Sequence, residues 1–277
     1  MTDHQPHHAP APAPVSAPAP VPDDRIHGDS LDGPSPAPPS VRGSWMVAGL
    51  GATLLLSSIA GLLSWDSLTG GLWRNVDQRQ TYEQPVGALT LKGGASDIEV
   101  RGGGAPGTVE VARHLGWGPG SDMPTPREEW SGSTLNLDAD CGGLLGWCSV
   151  DYVVTVPGTT EVTVDNGSGD VILSGALGAV TLTTGSGDVE SSGLQATSVT
   201  GKVGSGDIDL DLASAPVSID LQSGSGDVTV RVPQRSTYFV STDSGSGSTD
   251  VTIATDPGDP DRMSLRTGSG DIDVSYR

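Results

Sequence analysis

The sequence predicts an all-β solenoid, a parallel β-helix with coils of about 20 residues, carried behind one membrane-spanning segment and a proline-rich tail. Three observations predict it. Six times in the C-terminal half a Gly/Ser turn ends in an aspartate. Gly-Ser-Gly-Asp turns open at Gly167, Gly185, Gly204 and Gly224, a fifth turn at Gly245 reads as a stretched Gly-Ser-Gly-Ser-Thr-Asp, and the sixth, Gly-Ser-Gly-Asp again, opens at Gly268. The closing aspartates Asp170, Asp188, Asp207, Asp227, Asp250 and Asp271 fall 18, 19, 20, 23 and 21 residues apart, a solenoid period. Second, each aspartate opens a strand-like alternation, as in Asp207-Ile-Asp-Leu, Asp227-Val-Thr-Val and Asp271-Ile-Asp-Val, with residues one and three places on nearly always aliphatic. Third, 40 Gly stand against one Phe. That composition excludes a large aromatic core and suits a narrow interior filled by Val, Ile and Leu. An antiparallel β-sandwich is the competing arrangement, but it does not require one nearly identical turn per repeat.

Taken in order, residues 1–44 are rich in Ala-Pro alternation and cannot bury a core, so a disordered tail with polyproline II character is expected. It is either a spacer or a ligand for a proline-reading domain. Residues 45–65 run 21 residues without a charge, with Trp45 and Trp65 at the ends. At 1.5 Å per helical residue they cover about 30 Å, a bilayer core, and tryptophans suit its two interfaces. A cleaved signal peptide would start unusually far from the N-terminus and lacks a basic leader. Residues 66–84 read as a polar stalk, and 85–277 as the solenoid. Its first strands are Val86-Gly-Ala-Leu-Thr-Leu and, after a weaker turn at Asp97, Ile-Glu-Val. An irregular insertion at about 114–147 is expected to break the period.

The formal charge is −20. A surface this acidic repels nucleic acid and anionic lipid headgroups, leaving cationic partners and divalent metals open. The two cysteines, Cys141 and Cys148, stand close together in a Gly-rich segment, which points to a local disulfide outside the reducing cytosol. Zinc would need more ligands than His114, the sole histidine after the apolar span, can add. Arg25 and Arg42 on one side of the span balance Arg74 and Arg79 on the other, so the positive-inside rule nearly cancels. An oxidised cysteine pair then decides the orientation, placing the solenoid outside and the tail in the cytoplasm.

The segment from Cys148 through Asp151-Tyr-Val-Val-Thr-Val-Pro, followed by Thr163-Val-Asp-Asn-Gly-Ser-Gly-Asp-Val and Val180-Thr-Leu-Thr-Thr-Gly-Ser-Gly-Asp-Val, resembles the bacterial "putative adhesin" family of β-strand-repeat proteins, domain of unknown function 4097. The resemblance covers about residues 85–277. It implies a right-handed β-solenoid at the cell envelope with no established activity. Some relatives resemble accessory proteins of envelope-stress signalling.

Two readings of the turn aspartates stand. Stacked at about 4.8 Å, neighbouring carboxylates repel by close to 1 kcal/mol even in water, so something must offset them. Turn amides are one answer. Calcium held by Asp170, Asp188, Asp207, Asp227 and Asp271 is the other. A second acidic column, Glu99, Glu190, Asp209 and Asp273, is expected two residues further on, facing outward. Paired carboxylates serve glycoside hydrolysis in some β-helices, yet these recur coil after coil, whereas an active site is a single departure from a repeat. No catalytic residue or resident cofactor is therefore assigned. Trp117, Trp130 and Trp147 in the insertion either bind a partner or cap an open solenoid end. Their exposure distinguishes the two.

Overall fold

The computed structural model describes residues 73–140 and 147–277. The proline-rich tail, the apolar segment 45–65 and Cys141 lie outside the described residues. Every regular element described is a strand. The chain enters through β1 (Arg74–Tyr82), β2 (Ala88–Ala95), β3 (Ile98–Gly104) and β4 (Val109–Trp117). A hairpin of β5 (Thr125–Ser131) and β6 (Thr134–Asp140) leads to β7 (Cys148–Pro157). A regular run follows: β8 (Glu161–Ser168), β9 (Val171–Ala176), β10 (Ala179–Ser186), β11 (Val189–Gln195), β12 (Ser198–Ser205), β13 (Ile208–Leu212), β14 (Ser218–Ser223) and β15 (Val228–Val232). The chain closes with β16 (Thr237–Ser244), β17 (Thr249–Val251), β18 (Ala254–Thr255), β19 (Arg262–Thr267) and β20 (Ile272–Tyr276).

These strands form two ten-stranded sheets. One runs β1-β4-β7-β3-β9-β11-β13-β15-β20-β17 and the other β18-β16-β19-β14-β12-β10-β8-β2-β6-β5. Each coil gives one strand to each sheet, joined by the Gly/Ser turn, and coil-to-coil pairing is parallel. The expected alternation fixes the register. Ile98, Val171, Val189, Ile208, Val228 and Ile272 stack in one column of the first sheet and are at most 1 % exposed. Leu89, Val162, Val180, Val199, Ile219 and Met263 form the matching column of the second. Full burial contributes roughly 1.5–3 kcal/mol for each such side chain, and a one-residue slip would turn a whole column to water.

The coils do not all stack in chain order. Those from β8/β9 to β14/β15 do, but both ends are transposed. The β2/β3 coil lies between β6/β7 and β8/β9, and the β19/β20 coil lies between β14/β15 and β16/β17. An outermost coil leaves one edge of each strand unpaired. Transposition gives the first and last coils of the chain a neighbour on each side.

Two expected boundaries change. Residues 74–82 of the supposed stalk form β1, which pairs antiparallel with β4 across its full length. The insertion at about 114–147 is largely regular, holding the end of β4 and the β5–β6 hairpin. It breaks the period because β4 and β5 run antiparallel to their neighbours and close that end of the stack. Beneath this closure Arg113, 8 % exposed, pairs with Glu128 from the opposite sheet. Tyr152 fills the same end. Burial pushes its phenol up to about 12, with Arg113 opposing the rise and Asp138 adding to it.

Candidate functional site

The aspartates form one continuous ladder. Asp97 Oδ1 accepts the backbone N–H of Asp170 at 3.0 Å, Asp170 that of Asp188 at 2.9 Å, and Asp188 that of Asp207 at 2.8 Å. Asp207 accepts from Asp227 at 2.8 Å, and Asp227 from Asp271 at 2.7 Å. At the closed end Asp151 accepts from Asp97 at 3.1 Å. The donor is therefore an amide of the neighbouring coil, which no local reading of the turn reveals. A hydrogen bond to a charged group contributes roughly 1.5–3 kcal/mol, enough to offset the repulsion between neighbours.

The ladder follows the transposed stack, and this overturns the reading of the Gly245 turn. Asp271 Oδ1 accepts the N–H of Ser248 at 2.7 Å and its hydroxyl at 3.0 Å. Ser248 thus occupies the aspartate position, while Asp250 pairs with Asp273 in the outward column. The turn is not stretched. Its coil is outermost, so a carboxylate there would have no further coil to accept from, and a serine suffices as donor. Those two donors hold the Asp271 carboxyl below its ordinary range, the backbone amide first and the hydroxyl second.

A second column escaped the sequence reading. The residue before most of the turns points inward and binds turn carbonyls. Asn166 donates to Ser96 O and Gly169 O, Ser223 to Gly206 O, Ser244 to Gly270 O, and Thr267 to Gly226 O and Ser269 O. Asn166, Thr184, Ser223 and Thr267 are buried polar residues. Their signal was the polar residue before the glycine, broken at Val203. The glycines permit close stacking. Gly206 has φ +143° and turns its Cα against Gly187 O, where a Cβ would clash.

The outward acidic column is partly paired. Arg101 binds Glu99 at 2.6 Å and Arg231 binds Asp209 at 2.6 Å, and Ile172 and Thr229 interrupt the run. Asp188, Glu190, Asp207, Asp209 and Asp227 line a shallow groove of about 220 Å³. Among the described residues, however, no group of three or more His, Cys, Asp or Glu side chains is arranged to hold a metal ion. Carboxylate oxygens of the calcium candidates converge on amides instead.

The tryptophans divide. Trp117 and Trp130 pack against the core, with Trp130 edge-on to Tyr82 at 5.6 Å. Trp147 is 52 % exposed and meets Trp73, 58 % exposed, edge-on at 5.3 Å. Both capping and display are therefore present. Trp147 also walls a cleft of about 360 Å³ with Asp97, His114, Gly116, Ser149 and Asp151. His114 Nδ1–H donates to Asp77 Oδ1 at 2.7 Å. Cys148, next to Trp147, is disulfide-bonded.

Residues 149–261, from β7 to the loop before β19, match the Toastrack DUF4097 family. That segment is a Toastrack DUF4097 domain. The Toastrack match includes the ladder residues Asp151, Asp170, Asp188, Asp207 and Asp227 but not Asp97 or Asp271, and all four tryptophans named above lie outside it. Among solved structures, the chain is similar to a "putative cell adhesion protein" from Clostridium sporogenes, at 12 % identity over 74 % of this chain and 100 % of that one, TM-score 0.46. It is also similar to a "putative adhesin" from Bacteroides fragilis, at 12 % identity over 73 % and 97 %, TM-score 0.41. A third, a "putative lipid binding protein" from Parabacteroides distasonis, shares 11 % identity over 72 % and 96 %, TM-score 0.30. No curated protein matches the chain.

Proposed function

We propose that this Toastrack-domain protein is a single-pass protein of the bacterial cell membrane, displaying its acidic solenoid outside the cell as a non-enzymatic adhesive or scaffolding module. The ladder carries the reading. The chemical group that recurs in coil after coil is a carboxylate engaged by the next coil's amide, so repetition builds a rigid rod with two broad faces instead of a reaction centre. The transmembrane helix at 45–65, the proline-rich cytoplasmic tail and the right-handed winding implied by the family resemblance belong to this reading. So does pairing of Cys141 with Cys148, which suits an oxidising exterior. The partner is a surface polymer or protein, since the net charge of −20 opposes nucleic acid.

A second reading makes the chain an accessory of envelope-stress signalling, with the tail meeting a cytoplasmic regulator. Its support is the 21-residue apolar span joining a proline-rich tail to a folded domain. Deleting residues 1–44 separates the two. Cell attachment that survives the deletion with the stress response unchanged supports adhesion, and loss of a stress response supports signalling.

A further inference from the structure

We infer that the β1 end of the solenoid docks on the bilayer surface through Trp73 and Trp147, so that the rod stands on the membrane by an aromatic foot. This rests on the proposed membrane anchor. Trp73 and Trp147 are the exposed tryptophans among the described residues, and they touch each other. Met123, 46 % exposed, follows in the loop after β4.

The pair is held in place. Trp147 O accepts the N–H of Gly118 at 2.9 Å and the hydroxyl of Ser121 at 2.9 Å. Trp73 lies on Gly118, where any Cβ would meet its ring, and the Trp147 ring lies over Gly116. A soluble rod gains nothing from fixing two indoles in water. An indole fixed at the apolar-to-polar boundary of a bilayer places its ring among acyl and glycerol groups and its N–H among headgroups.

Chain length and charge select this occupant. Trp73 lies eight residues beyond Trp65, the end of the apolar span, a reach of at most roughly 29 Å even fully extended. The corner is thus tethered near the headgroups whatever path the connection takes. Residues 147–277 carry 18 acids against 6 bases, while 73–140 carry 10 against 6, with Arg74 beside Trp73. Repulsion from anionic lipid is therefore stronger on the coils beyond β7 and favours the tryptophan end as the one that faces the membrane.

The test reconstitutes the full chain in vesicles of phosphatidylcholine and phosphatidylglycerol, with and without lipids brominated on the acyl chains, and compares wild type with W73F/W147F. Phenylalanine keeps the packing while removing the two emitters. Subtracting the two signals should show emission quenched by bromolipid and shielded from aqueous acrylamide. Emission that acrylamide quenches and bromolipid does not would overturn the foot. So would a spectral shift on adding oligosaccharides of N-acetylglucosamine with no bromolipid quenching, which would assign the corner to a sugar polymer. An alkaline carbonate wash separates the two proposals. Protein that washes off but is bromolipid-quenched beforehand keeps the foot and loses the anchor. Protein that never associates with vesicles loses both.

Discussion

Asp207 is engaged on both sides, donating its N–H to Asp188 and accepting that of Asp227. Asp207→Ala removes the acceptor and should cost about 1–2 kcal/mol, while Asp207→Asn keeps an acceptor oxygen and should cost less than half as much. Urea denaturation of the two variants checks the ranking, and equal losses would argue against the amide bond as the reason for the aspartate. At Asp271 the folded pKa is depressed, so its contribution to stability is present above the unfolded value near 3.9 and is lost as pH falls through the folded value. Ser248→Ala removes the hydroxyl donor and leaves the amide. The stability gap between wild type and this variant should therefore narrow as pH drops below about 4, and a gap independent of pH would sink the assignment. Gly206→Ala places a methyl against Gly187 O at positive φ and should cost on the order of 3 kcal/mol or more, measured as a fall in Tm. The aspartates were legible in the sequence because they repeat. Their donors were not, because the amide that binds each one lies 18 to 20 residues away along the central coils, and no turn pattern records it.

Transposed coils make an unusual prediction about the elements. β20 lies between β15 and β17, and β19 between β14 and β16, whereas β17 pairs only with β20. Hydrogen exchange should therefore protect residues 262–276, at the end of the chain, better than 249–255 before them. A pattern of steady fraying toward the C-terminus would contradict the strand order. The alternation of each strand was readable, since period two needs only local residues. The order of the end coils was hidden, because every coil offers nearly the same aliphatic column to its neighbours and the columns alone permit several orders. The β5–β6 hairpin was hidden differently. Pro126 and the charged run Arg127-Glu-Glu lower strand propensity, and pairing plus the buried Arg113–Glu128 contact override it.

Across the whole molecule the net charge of −20 and the stacked carboxylates leave the fold under self-repulsion. Raising sodium chloride from 10 mM to 500 mM shortens the Debye length from about 30 Å to about 4 Å, so the melting temperature should rise by several degrees in calorimetry. Calcium titrated into the metal-stripped chain should add no more stabilisation than an ionic-strength-matched monovalent salt. Tight binding at several sites would instead restore the metal reading of Asp170, Asp188, Asp207, Asp227 and Asp271.

The sequence by itself determined the repeat, its all-β character, the inward columns and the turn aspartates, because each is a local pattern copied along the chain. Only the tertiary structure decided which coil neighbours which, that Ser248 rather than Asp250 meets Asp271, and that Trp117 and Trp130 pack inward while Trp147 joins Trp73 at the surface. These outcomes depend on which strand edges and ring faces are left uncovered once all coils are stacked, and that is a property of the assembled sheets.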